Sequence, residues 1–154
     1  MIEVKQAEYL DVTKLWKTLR KADVEEIQAA SGLHPSEALL LGYEHSVECY
    51  TIWAEGERLG MFGVVLEEVN PSIGRVWLLG TDLIPTHKIE FLRKSTEFVV
   101  DFNKRFPVLF NNIDARNEVH IKWLQWLGFS FINKIENYGH EGRLFYQFVR
   151  INHV

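Results

Sequence analysis

Apolar and polar residues alternate with two different periods along the chain, so helical and extended regions can be told apart. Residues Ile2–Gln6 alternate strictly, and this period of two predicts a short strand. Three helices are predicted next from helical spacing and capping residues. The first follows Asp11 and carries Leu15, Trp16 and Leu19. The second opens with the capping pair Asp23 and Glu26 and stops at Ser31-Gly32. The third runs from Pro35 towards His45.

The middle of the chain has the pattern of strands. Residues 47–54 and 59–67 predict a hairpin that turns at Glu55-Gly56. After a reversal at Asn70-Pro71, residues 75–80 form a strongly apolar segment, which is typical of a central strand.

The last part of the chain returns to helical spacing between strands. A long helix is predicted because Ile89, Leu92, Val99 and Phe102 fall on one face. It ends at Phe106-Pro107. A strand at 108–113 is followed by a helix that Asn117 can cap and Gly128 closes. Strands at 129–135 and 144–151 complete the chain.

The order of these elements predicts a fold class. One strand, three helices, three strands, a helix, a strand, a helix and two strands fit neither a run of parallel crossovers nor an all-β pattern. We expect an α/β (α+β) domain spanning residues 1–154. Its central sheet would be mixed and mostly antiparallel, with about six to seven strands flanked by helices.

Composition narrows the possible partners. With 47% hydrophobic residues in 154, the chain can bury one core, and a net charge of -4 gives no basic footprint for a nucleic acid. No apolar run approaches the ~20 residues of a membrane span. Cys49 is the single cysteine, so no intramolecular disulfide can form, and we expect a cytoplasmic protein. The scattered histidines predict no metal site.

The element order, together with an Asn, a short helix and a Gly-Phe over residues 117–129, resembles the GNAT superfamily of acyl-CoA-dependent N-acyltransferases. The sequence is similar in particular to small GNAT-like proteins of tailed phages and prophages, some called internal virion protein A or a phage family of unknown function. The runs that carry this likeness are Val76-Trp77-Leu78-Leu79-Gly80-Thr81-Asp82, Phe91-Leu92-Arg93, Asp114-Ala115-Arg116-Asn117 and His120-Ile121-Lys122-Trp123-Leu124.

The resemblance implies a binding site for acetyl-CoA or another acyl-CoA. The strands at 75–80 and 108–113 would be parallel and would splay around the pantetheine arm. The backbone of Leu78, Leu79 and Gly80 would bond to that arm, and Asn117 would touch the cofactor or only cap its helix. The residues predicted to hold the pyrophosphate are Thr86, His87 and Lys88, although Thr86 could instead simply cap the following helix.

Two features depart from the GNAT pattern. The segment 81–88 contains no glycine, Pro85 lacks an N–H, and Asp82 would repel phosphate. Leu124 occupies the position where GNAT enzymes often carry a tyrosine as general acid. Both departures weaken the expectation of ordinary acyl-CoA chemistry.

Catalytic candidates follow from residue type and position. His120 has a side chain suited to proton transfer near neutral pH. Carboxylates near strand ends could act as the base, and Tyr138 or Tyr146 could replace the missing phenol. The carboxylates are Glu67, Glu68, Asp82 and Asp114. Cys49 is predicted to be a buried structural residue.

Two functions remain open from the sequence. The first is an acyltransferase that passes an acyl group to an amine, on a small molecule or a protein. The second is a catalytically inactive, GNAT-shaped phage protein that binds a host enzyme or assists virion assembly. A homodimer is compatible with either, since oligomers are common in this fold.

Overall fold

Seven strands form one sheet in the computed structural model of the chain, which describes residues 1–152. The strands are Ile2–Gln6 (β1), Ser46–Ala54 (β2), Glu57–Leu66 (β3), Ile73–Gly80 (β4), Val108–Asp114 (β5), Ser130–Tyr138 (β6) and Arg143–Ile151 (β7). Their order across the sheet is β1-β2-β3-β4-β5-β7-β6. All neighbours are antiparallel except β4 and β5, which are parallel. The predicted mixed sheet and the central position of its most apolar strand are therefore confirmed.

Helices cover both faces of the sheet. They are Tyr9–Leu15 (α1), Lys21–Ser31 (α2), Pro35–His45 (α3), Lys88–Arg105 (α4) and Glu118–Trp126 (α5), with short 3-10 helices at Trp16–Thr18 and Ile84–His87. On one face, Leu15 of α1 and Leu39 of α3 pack against Met61 of β3. On the other face, Phe91 of α4 and Trp123 of α5 share a core cluster with strand residues. Within residues 1–152, no helix is long and apolar enough to cross a membrane.

The start of α2 differs from the prediction. The helix begins at Lys21 rather than at Asp23, and its N-cap residue Arg20 makes no side-chain capping bond. Asp23 and Glu26 do not form a capping pair, because both side chains turn into the protein and bond to other elements. The predicted stop is confirmed, since Gly32 takes the left-handed conformation (φ 71°) that ends helices without steric cost.

The last hairpin is longer than predicted. Strand β6 continues to Tyr138 instead of ending at 135, and it turns back through Gly139 and Gly142. The turn docks on α2, because the N–H groups of His140 and Glu141 donate to the carbonyls of Ala30 and Ala29. These long-range bonds, which no local pattern encodes, extend the strand.

Candidate active site

The two parallel strands separate soon after they meet. Pairing joins residues 73–75 of β4 to 108–110 of β5, whereas β4 continues to Gly80 and β5 to Asp114. The strands therefore splay towards their carboxyl ends and leave a gap in the middle of the sheet. The resemblance implied a splay between the strands predicted at 75–80 and 108–113, and the gap lies between the corresponding strands β4 and β5.

Backbone groups of β4 face this gap at alternate residues, as strand geometry requires. The carbonyl of Val76 accepts from Asn111 Nδ2 at 2.8 Å. At Gly80, the N–H donates to Asp23 Oδ2 at 2.9 Å and the carbonyl accepts from the Arg20 N–H at 2.8 Å. Leu78 lies midway between these two residues, so its N–H and C=O point into the gap, beyond the last residues that pair with β5.

A cavity of about 750 Å³ occupies the gap and reaches both faces of the sheet. Its wall is mostly apolar and rich in aromatic rings. Trp77 and Leu79 line it together with α3, and the absence of a side chain at Gly42 makes room for the Trp77 ring, 2.8 Å from where a Cβ would lie. On the α4 and α5 side the wall is formed by Phe62, Leu78, Phe91, Phe98, Phe102, Ile113, Trp123 and Leu124.

One enclosed carboxylate faces the cavity. Glu26 Oε1 accepts from the backbone N–H of Asp114 at 3.0 Å and from Asn117 Nδ2 at 3.3 Å. No donor among residues 1–152 bonds Oε2, and Glu26 is one of the residues that line the cavity. Burial raises the pKa of Glu26 to about 8, repulsion from Asp23 adds to the shift, and the two hydrogen bonds oppose it.

Asp23 holds this end of the site together. Besides the Gly80 N–H, it accepts from Asn117 Nδ2 at 3.3 Å and from Arg20 at 3.4 Å through Oδ1. His120 Nε2 lies 3.5 Å from the same oxygen. The carboxylate thus joins α2 to the end of β4 and to the start of α5.

His120 lines the cavity from α5, but it is only 7% exposed. Burial lowers the pKa of its imidazole, against the opposing charge of Asp23, so the ring is neutral near pH 7. Its Nε2 is buried without a hydrogen-bond partner in residues 1–152, and the ring packs on Trp123 with centroids 4.7 Å apart. This nitrogen is shielded from solvent beside Asp23, so a role of His120 in proton transfer stays a prediction.

The other predicted site residues fall into two groups. Leu78 and Leu79 line the cavity, and Glu68 lies on its exposed rim in the β3–β4 loop. Asn117 is fully buried behind Glu26 and Asp23, and its side chain makes no capping bond. The remaining residues lie outside the cavity wall, and they are Gly80, Asp82, Thr86, His87, Lys88 and Tyr138.

Two of these residues have other partners. Thr86 is not the cap of α4, because His87 precedes that helix and the Thr86 hydroxyl donates to the Leu83 carbonyl. Tyr138 ends β6, where its ring packs on Phe145 with centroids 4.6 Å apart. In residues 1–152, no group of three or more His, Cys, Asp or Glu side chains is arranged to hold a metal ion.

Sequence reasoning missed Glu26 as a site residue. A signal was present, because Glu26 and Asp23 are three residues apart and Ile27 follows four residues after Asp23. Residues with these spacings share one face of a helix. Ile27 is buried, so the carboxylates lie along a buried face, and an acidic residue there indicates a bonded or functional group.

No protein-family model matches the chain, and no curated protein matches it either. Solved acetyltransferase structures do match its fold. A GCN5-related N-acetyltransferase from Kribbella flavida aligns with a TM-score of 0.72 and 16% identity over 98% of each chain. An aminoglycoside acetyltransferase in complex with coenzyme A aligns with a TM-score of 0.68 and 16% identity over 98% of this chain and 95% of that one.

A ribosomal-protein alpha-N-acetyltransferase, also in complex with coenzyme A, aligns with a TM-score of 0.70 and 12% identity over 97% of this chain and 93% of that one. Likeness at such low identity shows the fold. The chain therefore has the α+β GNAT fold, with a seven-stranded mixed sheet flanked by helices.

Proposed function

We propose that this protein is an N-acyltransferase, which moves the acyl group of acetyl-CoA or another acyl-CoA to an amine. The observation that carries the proposal is the Glu26 carboxyl group, because Glu26 lines the cavity between the splayed strands and no donor in residues 1–152 bonds its Oε2. The GNAT fold and the coenzyme A complexes of structures with that fold support it. Fold alone does not define activity, so the proposal depends on this site.

The gap between β4 and β5 suits the pantetheine arm of the donor. The Leu78 N–H and C=O point into it and can bond the amides of the arm, in the manner of an added strand. The apolar wall excludes water, which strengthens each polar contact inside. When bound, the donor supplies an activated thioester carbonyl.

Glu26 would take the proton that an ammonium must lose before it can attack. An ordinary glutamate, with a pKa of 4.5, is far less basic than an alkylamine at about 10.4. The raised pKa of Glu26, about 8, brings the two groups much closer. In an apolar cavity, transfer from ammonium to carboxylate also replaces two charges with two neutral groups.

The remaining step conserves atoms and protons. The amine nitrogen attacks the thioester carbon, the C–S bond breaks, and the second proton of the nitrogen ends on the departing sulfur. Leu124 cannot supply that proton, since its side chain has no ionisable group. We therefore propose Glu26 as the general base, and Leu124 has no role as a general acid.

The test is thiol release from acetyl-CoA with a panel of amines above pH 8, where Glu26 is ionised and can act as a base, in the wild type and in Glu26→Gln. We expect the variant to lower kcat/KM by roughly 10²- to 10⁴-fold, the usual loss on removing a positioned base. The matched control is Glu25→Gln on the same helix, whose carboxylate pairs with Arg116 at 3.2 Å and not with Glu26's partners. Equal activity of Glu26→Gln and wild type, or no transfer to any amine, would contradict the proposal.

Several finer predictions come from the sequence. The phage or prophage origin and the homodimer rest on the resemblance, and the cytoplasmic location rests on the single cysteine. These stay predictions. The acyl-CoA donor and the amine acceptor are the part of the proposal that the cavity supports.

A second candidate function is a non-catalytic phage protein that binds a host enzyme or assists virion assembly. One observation favours it, because apolar side chains are exposed at the cavity mouth. Leu41 is 43% exposed, Leu66 39% and Val69 98%. Isothermal titration separates the two functions: heat on adding acetyl-CoA supports the acyltransferase, and its absence at millimolar ligand supports the binding protein.

A further inference from the structure

In the segment between β4 and α4, where the resemblance predicted pyrophosphate binding, four backbone N–H groups already donate hydrogen bonds within the protein. The Thr81 N–H donates to the Leu59 carbonyl at 2.8 Å, and the Leu83 N–H donates to Thr81 Oγ1 at 3.2 Å. The Ile84 and Thr86 N–H groups donate to the carbonyls of Thr81 and Leu83 at 3.3 and 3.2 Å. A phosphate would have to break these bonds to be held by the same groups.

The backbone conformation of this segment also lacks an anion nest. Such a nest needs successive residues of opposite handedness, so that several N–H groups converge. In residues 1–152, left-handed backbone occurs at Glu55, Asn137 and five glycines, and none of these lies in 81–88. Pro85 removes one more donor.

The charges around the segment give an anion no net attraction. Asp82 is exposed, and Glu90 lies in the first turn of α4, where it accepts from the Ile2 N–H at 2.9 Å. Two cations lie near these carboxylates. The Lys88 ammonium is exposed to water, and the Met1 ammonium lies 4.0 Å from Glu90 but already pairs with Glu55 at 3.1 Å. The segment therefore does not fit a diphosphate, whereas the gap beside Leu78 fits a pantetheine arm.

We infer that the donor is held through its acyl-pantetheine arm, while the phosphorylated adenosine diphosphate part adds little to binding. This inference rests on the proposed function, and it identifies the donor class as thioesters of pantetheine. The free backbone of Leu78 and the apolar cavity supply the contacts, and the closed turn at 81–86 withholds those that coenzyme A would need for its diphosphate.

Calorimetric titration of the whole chain with three probes tests the inference. The probes are acetyl-CoA, S-acetylpantetheine and adenosine 3′,5′-bisphosphate. We expect Kd values for the first two within about tenfold of each other, a difference of about 1.4 kcal/mol or less, and no binding of the third. A larger loss on truncation, or binding of the bisphosphate, would overturn the inference but leave the proposed function standing. If neither thioester binds, the proposed function itself fails.

The salt dependence provides a second readout. Because Asp82 and Glu90 offset Lys88 and the Met1 ammonium, added salt should leave acetyl-CoA binding unchanged relative to S-acetylpantetheine. The uncharged thioester is the matched control, since it carries no phosphate. Weaker binding of acetyl-CoA alone at higher salt would show that cations grip its phosphates and would overturn the inference.

Discussion

Glu26 links the chemistry of the site to the stability of the fold. Its pKa is about 8 in the folded chain against 4.5 for an ordinary glutamate, mainly because of burial. Below pH 4.5 the carboxyl is protonated in both states. Between pH 4.5 and 8 the unfolded chain has lost this proton and the folded chain still holds it, so the free energy of unfolding falls as pH rises. Above about pH 8 the loss is complete.

We therefore expect Glu26→Gln to be more stable than the wild type at pH 9 and similar to it at pH 4.5. The gain at pH 9 is on the order of 2–4 kcal/mol, after allowance for solvent in the cavity. Glutamine keeps an oxygen for the Asp114 N–H, so the fold is retained. Urea denaturation at both pH values measures the difference, and a gain that is equal at the two pH values would contradict the linkage.

At the scale of elements, Asp23 fastens α2 to the open end of β4. It accepts bonds from Gly80, Asn117 and Arg20, and the Arg20 side chain is almost buried, over the Trp123 ring. Strands β4 and β5 pair with each other through only three residues each. The ladder with β3 continues to Gly80, so Asp23 replaces ladder hydrogen bonds only on the side of β4 that faces β5.

Replacing Asp23 with alanine should lower the free energy of unfolding by about 3–5 kcal/mol, because a buried guanidinium loses its partner. The matched control is Lys94→Ala, which removes the exposed pair with Glu97 and should change stability by about 0.5 kcal/mol or less. Urea denaturation of both variants measures this. A loss below about 1 kcal/mol for Asp23→Ala would mean that β4 keeps its shape by other contacts.

The same region marks the limit of what the sequence could predict. The apolar run at 75–80 and the periodic helix before Phe106 are local patterns, and both elements appeared where expected. Asp23 and Glu26 matched a capping box just as locally, yet their partners are 57 and 88 residues away, at Gly80 and Asp114. Local spacing cannot tell a cap from a buried carboxylate, because the difference lies in packing between distant elements.

At the scale of the whole molecule, the cavity connects the two faces of the sheet. It passes between the strands and touches helices on both faces, so a ligand inside it contacts elements that the gap otherwise separates. Such a ligand can bind only the folded chain. At a concentration of about 100 times Kd, binding adds about 2.7 kcal/mol to the free energy of unfolding.

For a chain of 154 residues, this corresponds to a rise in Tm of roughly 5–10 °C with saturating acetyl-CoA. The control is Leu124→Trp, in which the larger ring fills part of the cavity from the α5 side. Because overpacking can lower the variant's own Tm, the comparison is between ligand-induced shifts. We expect a shift in the wild type and almost none in the variant. An equal shift in both would mean that acetyl-CoA binds elsewhere on the surface, and then neither the gap beside Leu78 nor Glu26 could take part in acyl transfer.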